Sequence, residues 1–229
     1  MTPLILIPGM MCDQRMWAGF NAPPRHLIHA LPTTCDSMQG LAAAILKGAP
    51  ERFALAGLSM GGIVAMEILK QAPQRVERLA LLDTNPLAEN VLTKARRNLQ
   101  IAKARSGQLA KVVREEMKPN YLAAGPNKKA ILDLCMDMTM TLGPNVFVRQ
   151  SEALRDRPDQ TETLAAFKGP ALVLMGEEDK LCPRERHELM HALMPQSTLA
   201  IIPHAGHLSP LENPQTTFGY LHNWLSTPG

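Results

Sequence analysis

The sequence predicts an α/β fold in which a mostly parallel sheet of six strands is covered by helices on both faces. Short apolar runs alternate with longer segments of helical periodicity, which is the pattern of parallel strands joined by helices. The runs are apolar at successive positions, as in strands that are buried between two helical layers. A chain of 229 residues is long enough for one sizeable core, so we expect a single sheet.

The strands and helices that support this prediction are bounded by turn and capping residues. The predicted strands cover residues 4–7, 27–30, 53–56, 76–82, 171–175 and 198–202. One predicted helix, 36–47, ends at Gly48, and another, 63–71, ends before Pro73. The last helix is predicted to begin at Ser209, with Ser209 and Glu212 forming a capping box.

Strand periodicity disappears between residues 83 and 167. This stretch reads as about four helices, with breaks at Gly107, Gly125-Pro126, Gly143-Pro144 and Pro158. Some eighty residues exceed any ordinary connection between two strands, which indicates an inserted helical unit. We therefore predict a core of residues 1–83 and 168–229, and a helical cap of residues 84–167 over one edge of the sheet.

Composition narrows the classes of function. The net charge of +3 is spread along the chain without a run of basic residues, so we expect no nucleic-acid partner. No apolar run is long enough to span a bilayer, and the N-terminus lacks the basic region of a secretory signal, so we expect a cytoplasmic protein. The four cysteines form no C-x-x-C pair, so we expect reduced, mostly buried thiols and no metal site.

The segment Gly57-Leu58-Ser59-Met60-Gly61 contains a G-x-S-x-G motif between a predicted strand and a predicted helix. This context is the one in which the motif forms a nucleophile elbow, a sharp turn that presents the serine above the sheet. Glycine at both ends removes side chains that would collide in the turn. Ser59 is therefore the candidate nucleophile.

A serine hydroxyl is a weak nucleophile unless a base removes its proton. His207 lies after the last predicted strand and before the helix that begins at Ser209, where such a base belongs. His204 is the close alternative, and the order of elements favours His207.

The imidazole of the base must be held in one tautomer by a carboxylate. Asp179 follows the strand 171–175 and is the candidate, while Glu177 and Glu178 read as solvated loop residues. Asp83 also follows a strand and is the alternative. The chain order Ser, Asp, His that accompanies a nucleophile elbow favours Asp179.

An oxyanion intermediate also needs two hydrogen-bond donors. We predict that these are the backbone N–H of Met60, which follows the nucleophile, and that of Met10, in the loop after the first strand.

With these motifs in order, the chain resembles the α/β-hydrolase superfamily, in particular its small, helically capped esterase and lactonase-like members. The resemblance runs through Leu6-Ile7-Pro8-Gly9 with Cys12-Asp13 and Trp17, the elbow, Arg157-Pro158-Asp159, Gly176 to Asp179, and Gly206-His207 with Glu212 and Pro214. It implies a six-stranded minimal sheet, hydrolysis through an acyl-enzyme without a cofactor, and a cap that shapes the pocket. Many relatives have His-Gly where this chain has Pro8-Gly9.

The leading hypothesis is hydrolysis of a carboxylic ester or thioester of a small-molecule acyl substrate. Perhydrolases and carbon-carbon bond hydrolases share the same three residue types, whereas a haloalkane dehalogenase would have a carboxylate at position 59. A ligand sensor that keeps the triad but turns over slowly is the alternative from another class. Eight basic residues between Asn90 and Lys118 are consistent with attraction of an anionic substrate, although a solvated helix face is the simpler interpretation.

Overall fold

The sheet consists of six parallel strands. The structure is a computed structural model that describes residues 1–227, and its strands are β1 (Leu4–Ile7), β2 (Leu27–His29), β3 (Phe53–Leu58), β4 (Val76–Leu82), β5 (Ala171–Gly176) and β6 (Thr198–Ile202). Their order in the sheet is β2-β1-β3-β4-β5-β6. All six predicted strands are confirmed, and β3 alone extends two residues further than predicted. The strand order reverses at β1, and in such sheets ligands bind near that point, beyond the carboxyl ends of the strands.

The helices pack mainly between or after these strands. They are α1 (Met38–Gly48), α2 (Met60–Gln71), α3 (Val91–Lys103), α4 (Leu109–Lys111), α5 (Lys128–Arg155), α6 (Thr161–Ala166), α7 (Arg184–Leu193), α8 (Ser209–Glu212) and α9 (Pro214–Ser226). Helix α1 begins two residues later than predicted, after Ser37, whose hydroxyl accepts a hydrogen bond from the N–H of Gly40. Helix α2 begins three residues earlier than predicted, directly after Ser59. Within residues 1–227, no helix is long and apolar enough to cross a bilayer.

Side chains of each strand alternate between two hydrophobic layers, as the pleat of a strand requires. Leu4 and Leu6 of β1 face a core that contains residues of α9, whereas Ile5 and Ile7 face a core that contains residues of α1 and α2. All four side chains are fully buried. Burial on both faces explains why the strands read as continuous apolar runs in the sequence.

The connection between β4 and β5, residues 83–170, is helical throughout most of its length, and we call it the helical segment. Helices α3 to α5 are interrupted by two π-helical stretches, Ala104–Gln108 and Val112–Met117. Helix α5 is kinked at Gly143, where φ is 78°. Side chains of this segment, among them Ile101 and Phe147, form a small hydrophobic cluster with Met11 of the loop after β1. Helix α6, by contrast, packs against α2 and α7 beside the sheet.

The predicted capping box at Ser209 and Glu212 is wrong. The Ser209 hydroxyl donates to the buried carboxylate of Asp83, and the Glu212 carboxylate accepts from the N–H groups of Gly206 and Leu208. A buried carboxylate requires hydrogen-bond donors, and this tertiary requirement overrides the local cap. The long final helix, α9, begins instead at Pro214 and is capped by the side chain of Asn213.

Candidate active site

Ser59 occupies a strained turn between β3 and α2. Its backbone φ of 53° and ψ of −117° lie outside the regions that side chains favour. A Cβ on Gly57 would lie 2.2 Å from the carbonyl oxygen of Gly61, and one on Gly61 would lie 2.2 Å from that of Ile7. Glycine at positions 57 and 61 is therefore what allows strand and helix to meet at so sharp an angle.

The structure brings Ser59, His207 and Asp179 into one hydrogen-bonded chain. His207 Nε2 lies 2.8 Å from Ser59 Oγ, and His207 Nδ1 lies 2.9 Å from Asp179 Oδ2. The Asp179 side chain has no exposed surface and that of His207 is 6% exposed. When Nδ1–H donates to Asp179, Nε2 is left as the acceptor for the Ser59 hydroxyl. This arrangement can remove a proton from the serine.

The other residues considered for these positions lie elsewhere. His204 is solvent-exposed, as are Glu177 and Glu178. The Asp83 carboxylate is buried, but it accepts hydrogen bonds from the N–H of Gly176 and from Ser209 rather than from an imidazole.

A short turn holds the Asp179 carboxylate in position. Its Oδ1 accepts hydrogen bonds from the N–H groups of Leu181 and Cys182, at 2.8 and 3.0 Å, which leaves Oδ2 for His207. Burial alone would raise the pKa of Asp179, but the charge of His207 and these hydrogen bonds together lower it below its ordinary value. Asp179 is therefore ionised at neutral pH.

The pKa of His207 follows from the same pair. Burial opposes the charged imidazolium and would lower the pKa, but the negative charge of Asp179 and its hydrogen bond outweigh burial, so the pKa is raised above its usual value. Burial, followed by the charge of Asp179, raises the pKa of the neighbouring Asp83 carboxyl to about 8. The pKa values of the two buried carboxyls are thus shifted in opposite directions.

The loop after β1 lies directly against Ser59. A Cβ on Gly9 would be 3.6 Å from the Cβ of Ser59. Two residues after Gly9, the N–H of Met11 donates a hydrogen bond to the side chain of Gln150 at 2.9 Å, which holds this loop in place. In the described part of the chain, the N–H groups of Met10 and Met60 have no acceptor, so both are free to donate to a ligand.

Sequence reasoning missed how Glu212 fixes the loop that carries His207. One carboxylate oxygen accepts from the N–H groups of Gly206 and Leu208, which flank the histidine, and the other accepts from the N–H of Ala123 in the helical segment. The N–H of His207 itself donates to the carbonyl of Tyr121 at 2.7 Å. Glu212 belongs to the motif around His207 that carries the family resemblance, and this was the signal in the sequence for a tertiary role.

Ser59 and His207 line a cavity of about 240 Å³. Its walls come from the loop after β1, from the end of β3, from the loops of the triad residues and from the helical segment, and include Gly9, Met10, Leu58, Tyr121, Cys182 and Leu208. A cleft with an apolar wall and a few convergent polar groups is the usual form of a small-molecule site.

Asp179, Cys182 and His207 place an oxygen, a sulfur and a nitrogen atom within 4.8 Å of one another, a spacing that invites comparison with a metal site. Burial, and then the charges of Asp179 and Asp83, raises the pKa of the Cys182 thiol well above its ordinary value. A thiol must lose its proton to bind a metal. The trio is therefore better suited to the hydrogen bond between His207 and Asp179 than to metal binding.

Comparison with known proteins finds that the chain is similar to esterases and other hydrolases. The pimeloyl-[acyl-carrier protein] methyl ester esterase of Nitrosomonas europaea is 25% identical over 93% of this chain and 91% of its own length. A solved thermophilic esterase from Thermogutta terrifontis, with malate bound, aligns with a TM-score of 0.84 at 26% identity, covering 98% of this chain and 89% of that one. The enol-lactonase from Burkholderia xenovorans aligns with a TM-score of 0.84 at 20% identity. The alignment covers 99% of this chain and 92% of that one, which shows that the two share a fold. The model of the Alpha/beta hydrolase family matches residues 4–219, and this chain therefore belongs to that family of hydrolases.

Proposed function

We propose that this α/β hydrolase cleaves a carboxylic ester of a small molecule through an acyl-enzyme formed on Ser59. The observation that carries the proposal is the continuous hydrogen-bonded chain from Ser59 through His207 to Asp179. A thioester would react by the same steps. The names of the relatives, which are esterases, support the ester class without naming a substrate for this chain.

In the first half of the reaction, Ser59 Oγ attacks the ester carbonyl while His207 Nε2 takes the hydroxyl proton. Asp179 stabilises the imidazolium, and His207 then gives the proton to the leaving alcohol as the carbon-oxygen bond breaks. In the second half, water attacks the acyl carbon while His207 takes its proton. The bond from that carbon to Ser59 Oγ then breaks, the carboxylic acid leaves, and His207 returns the proton to Ser59. No cofactor enters these steps.

The N–H groups of Met10 and Met60 are proposed to stabilise the negative oxygen of each tetrahedral intermediate. Both belong to segments that flank Ser59, and neither has another acceptor within residues 1–227. The Met60 N–H is also the first of helix α2, where the helix dipole favours negative charge. Loss of one such donor typically raises the barrier by about 3 to 4 kcal/mol.

Residues 84–167 are proposed to form a cap that shapes the substrate site, with residues 1–83 and 168–229 as the core. The connection between α4 and α5 supports this role, because it contributes Met117 and Tyr121 to the cavity that Ser59 lines. A cytoplasmic location is also proposed, because all four cysteines are free thiols, which suits a reducing compartment.

The test is covalent labelling of Ser59 by a fluorophosphonate, measured by intact-mass spectrometry, together with hydrolysis of p-nitrophenyl esters of two to eight carbons. Wild type should gain one label and turn over esters, and Ser59→Ala and His207→Ala should lose both properties. Ser106→Ala, at an exposed serine of the helical segment, is the matched control and should label like wild type. A folded wild-type protein that neither labels nor turns over would contradict the proposal.

A further inference from the structure

A charged cluster of three residues lies between helix α3 and the end of α5. Arg97 Nε and Nη2 each lie 3.1 Å from Glu89 Oε2, and Arg157 Nη1 and Nη2 lie 3.0 and 3.3 Å from the two oxygens of the same carboxylate. The side chains of Glu89 and Arg157 are each 6% exposed, and that of Arg97 is 16% exposed. One carboxylate is thus shared by two largely buried guanidinium groups.

The cluster carries an excess positive charge, because two arginines face a single glutamate. Arg157 is fully engaged, since its Nε also donates to the carbonyl of Leu87 at 2.8 Å. Arg97 Nη1, in contrast, has no acceptor among residues 1–227. Burying a guanidinium costs free energy unless an anionic partner compensates its charge. One glutamate shared by two arginines compensates only part of that charge.

The cluster opens onto the same cavity as the candidate nucleophile. Arg97, Arg157 and Glu89 line this cavity together with Ser59 and His207. Two further charged groups line it: Arg96, which has no ionic partner in the described residues, and Glu116, whose carboxylate is held by Lys103 at 2.6 Å. The lining as a whole therefore carries more positive than negative charge.

We propose that Arg97 binds a carboxylate on the substrate, so that the preferred substrates are esters with a second, ionised acid group, such as the half-esters of dicarboxylic acids. This inference rests on the proposed ester hydrolysis and names the substrate class for it. The planar guanidinium matches a carboxylate in geometry, and Nη1 is the group free to donate. The excess charge of the cluster would be neutralised when such a substrate enters.

The experiment compares the methyl half-esters of straight-chain diacids of four to eight carbons with the methyl esters of monoacids of equal length. Methanol release gives kcat/KM for both members of each pair in wild type, Arg97→Gln, Arg97→Lys and Arg105→Gln. Arg105 is the matched control, because it lies in the same helical segment, is exposed, pairs with Glu152 and lies outside the cavity. Circular dichroism and thermal unfolding verify that each variant is folded.

We expect wild type to prefer the half-ester for at least one chain length, and the ratio of the two kcat/KM values to fall about tenfold or more in Arg97→Gln. That is the size of effect that loss of one charge-assisted hydrogen bond produces. Arg97→Lys should retain part of the preference, because lysine keeps the positive charge but lacks the planar guanidinium that can donate two parallel hydrogen bonds. Arg105→Gln should keep the wild-type ratio, which separates local binding from general attraction of anions.

The two proposals fail in different ways. If neither ester type is hydrolysed and Ser59 takes no label, ester hydrolysis itself is wrong. If monoacid esters are hydrolysed but no half-ester is preferred by wild type, the carboxylate site is overturned whatever the variants do. A preference that survives Arg97→Gln, or falls equally in Arg105→Gln, also overturns it.

Discussion

Ser209 Oγ lies 2.6 Å from Oδ2 of Asp83, so a side chain at the start of α8 is hydrogen-bonded to one at the end of β4. The other oxygen of Asp83 accepts the N–H of Gly176 at 2.8 Å, where β5 ends before the loop of Asp179. Ser209 follows His207 by two residues. Asp83 thus ties together the two loops that carry the candidate acid and base without touching the histidine through a hydrogen bond.

Asp83→Asn should weaken the dependence of stability on pH. The pKa of Asp83 is raised from 3.8 to about 8 in the folded chain, first by burial and then by the charge of Asp179. Between these values the folded state binds a proton that the unfolded state has lost, so the free energy of unfolding falls as pH rises across that window. Urea unfolding at pH 5.5, 7.0 and 8.5 should show a smaller fall in the variant. Equal slopes would mean that Asp83 is ionised in the native state.

Asp179→Asn should reduce kcat for a p-nitrophenyl ester by about 10³- to 10⁴-fold, because asparagine cannot stabilise the imidazolium or hold the required tautomer. Asp83→Asn should cost far less, about tenfold at most, because Asp83 positions loops and does not bind His207. Steady-state kinetics of both variants decides between the two acids. A larger loss in Asp83→Asn would reverse the assignment.

The pH profile of kcat/KM should report the ionisation of His207. Its pKa is raised above the usual value of a histidine, since Asp179 outweighs the opposing effect of burial. Only the neutral imidazole can accept the serine proton, so activity should be lost below this pKa and reach a plateau above it. Rates between pH 5 and 9 at constant ionic strength should give a midpoint above the usual histidine pKa of about 6.5. In Asp179→Asn the residual activity should have a lower midpoint, and an unshifted one would argue against direct coupling.

Gly61→Ala should destabilise the chain by about 3 kcal/mol or more, because its Cβ would lie 2.2 Å from the backbone oxygen of Ile7, which cannot move away without disturbing β1. Gly219→Ala is the matched control. A Cβ there meets nothing within 4 Å, and alanine favours the helix, so it should stabilise by up to about 1 kcal/mol. Urea unfolding of the two variants measures the contrast. Similar effects from both would show that the elbow tolerates a side chain.

The sequence predicted the parts of this molecule that depend on local pattern. Apolar runs located all six strands, and the glycines around Ser59 located the turn, because each is dictated by residues that are neighbours in the chain. The proximity of Ser59, Asp179 and His207 followed from topology, since the carboxyl ends of parallel strands meet at one edge of a sheet. Their catalytic roles stay a prediction until they are tested.

What the sequence did not predict depends on partners far away in the chain. Ser209 read as a helix cap because the pattern contains no sign of Asp83, which lies 126 positions earlier. Arg97 read as part of a solvated helix face, whereas Glu89 and Arg157 enclose it. Local patterns do not encode such contacts, because a helix face is buried or exposed according to what packs on it.

The hydrogen bond from the N–H of His207 to the carbonyl of Tyr121 limits which helical segments can be exchanged between hydrolases of this fold. Together with the bond from Ala123 to Glu212, it makes residues 121–123 part of the support of the histidine loop. The helical segment is therefore not an exchangeable module. A chimera that imports this segment from another hydrolase must supply a carbonyl and an N–H at these two places, or the base loses its scaffold even though every residue of the triad is retained.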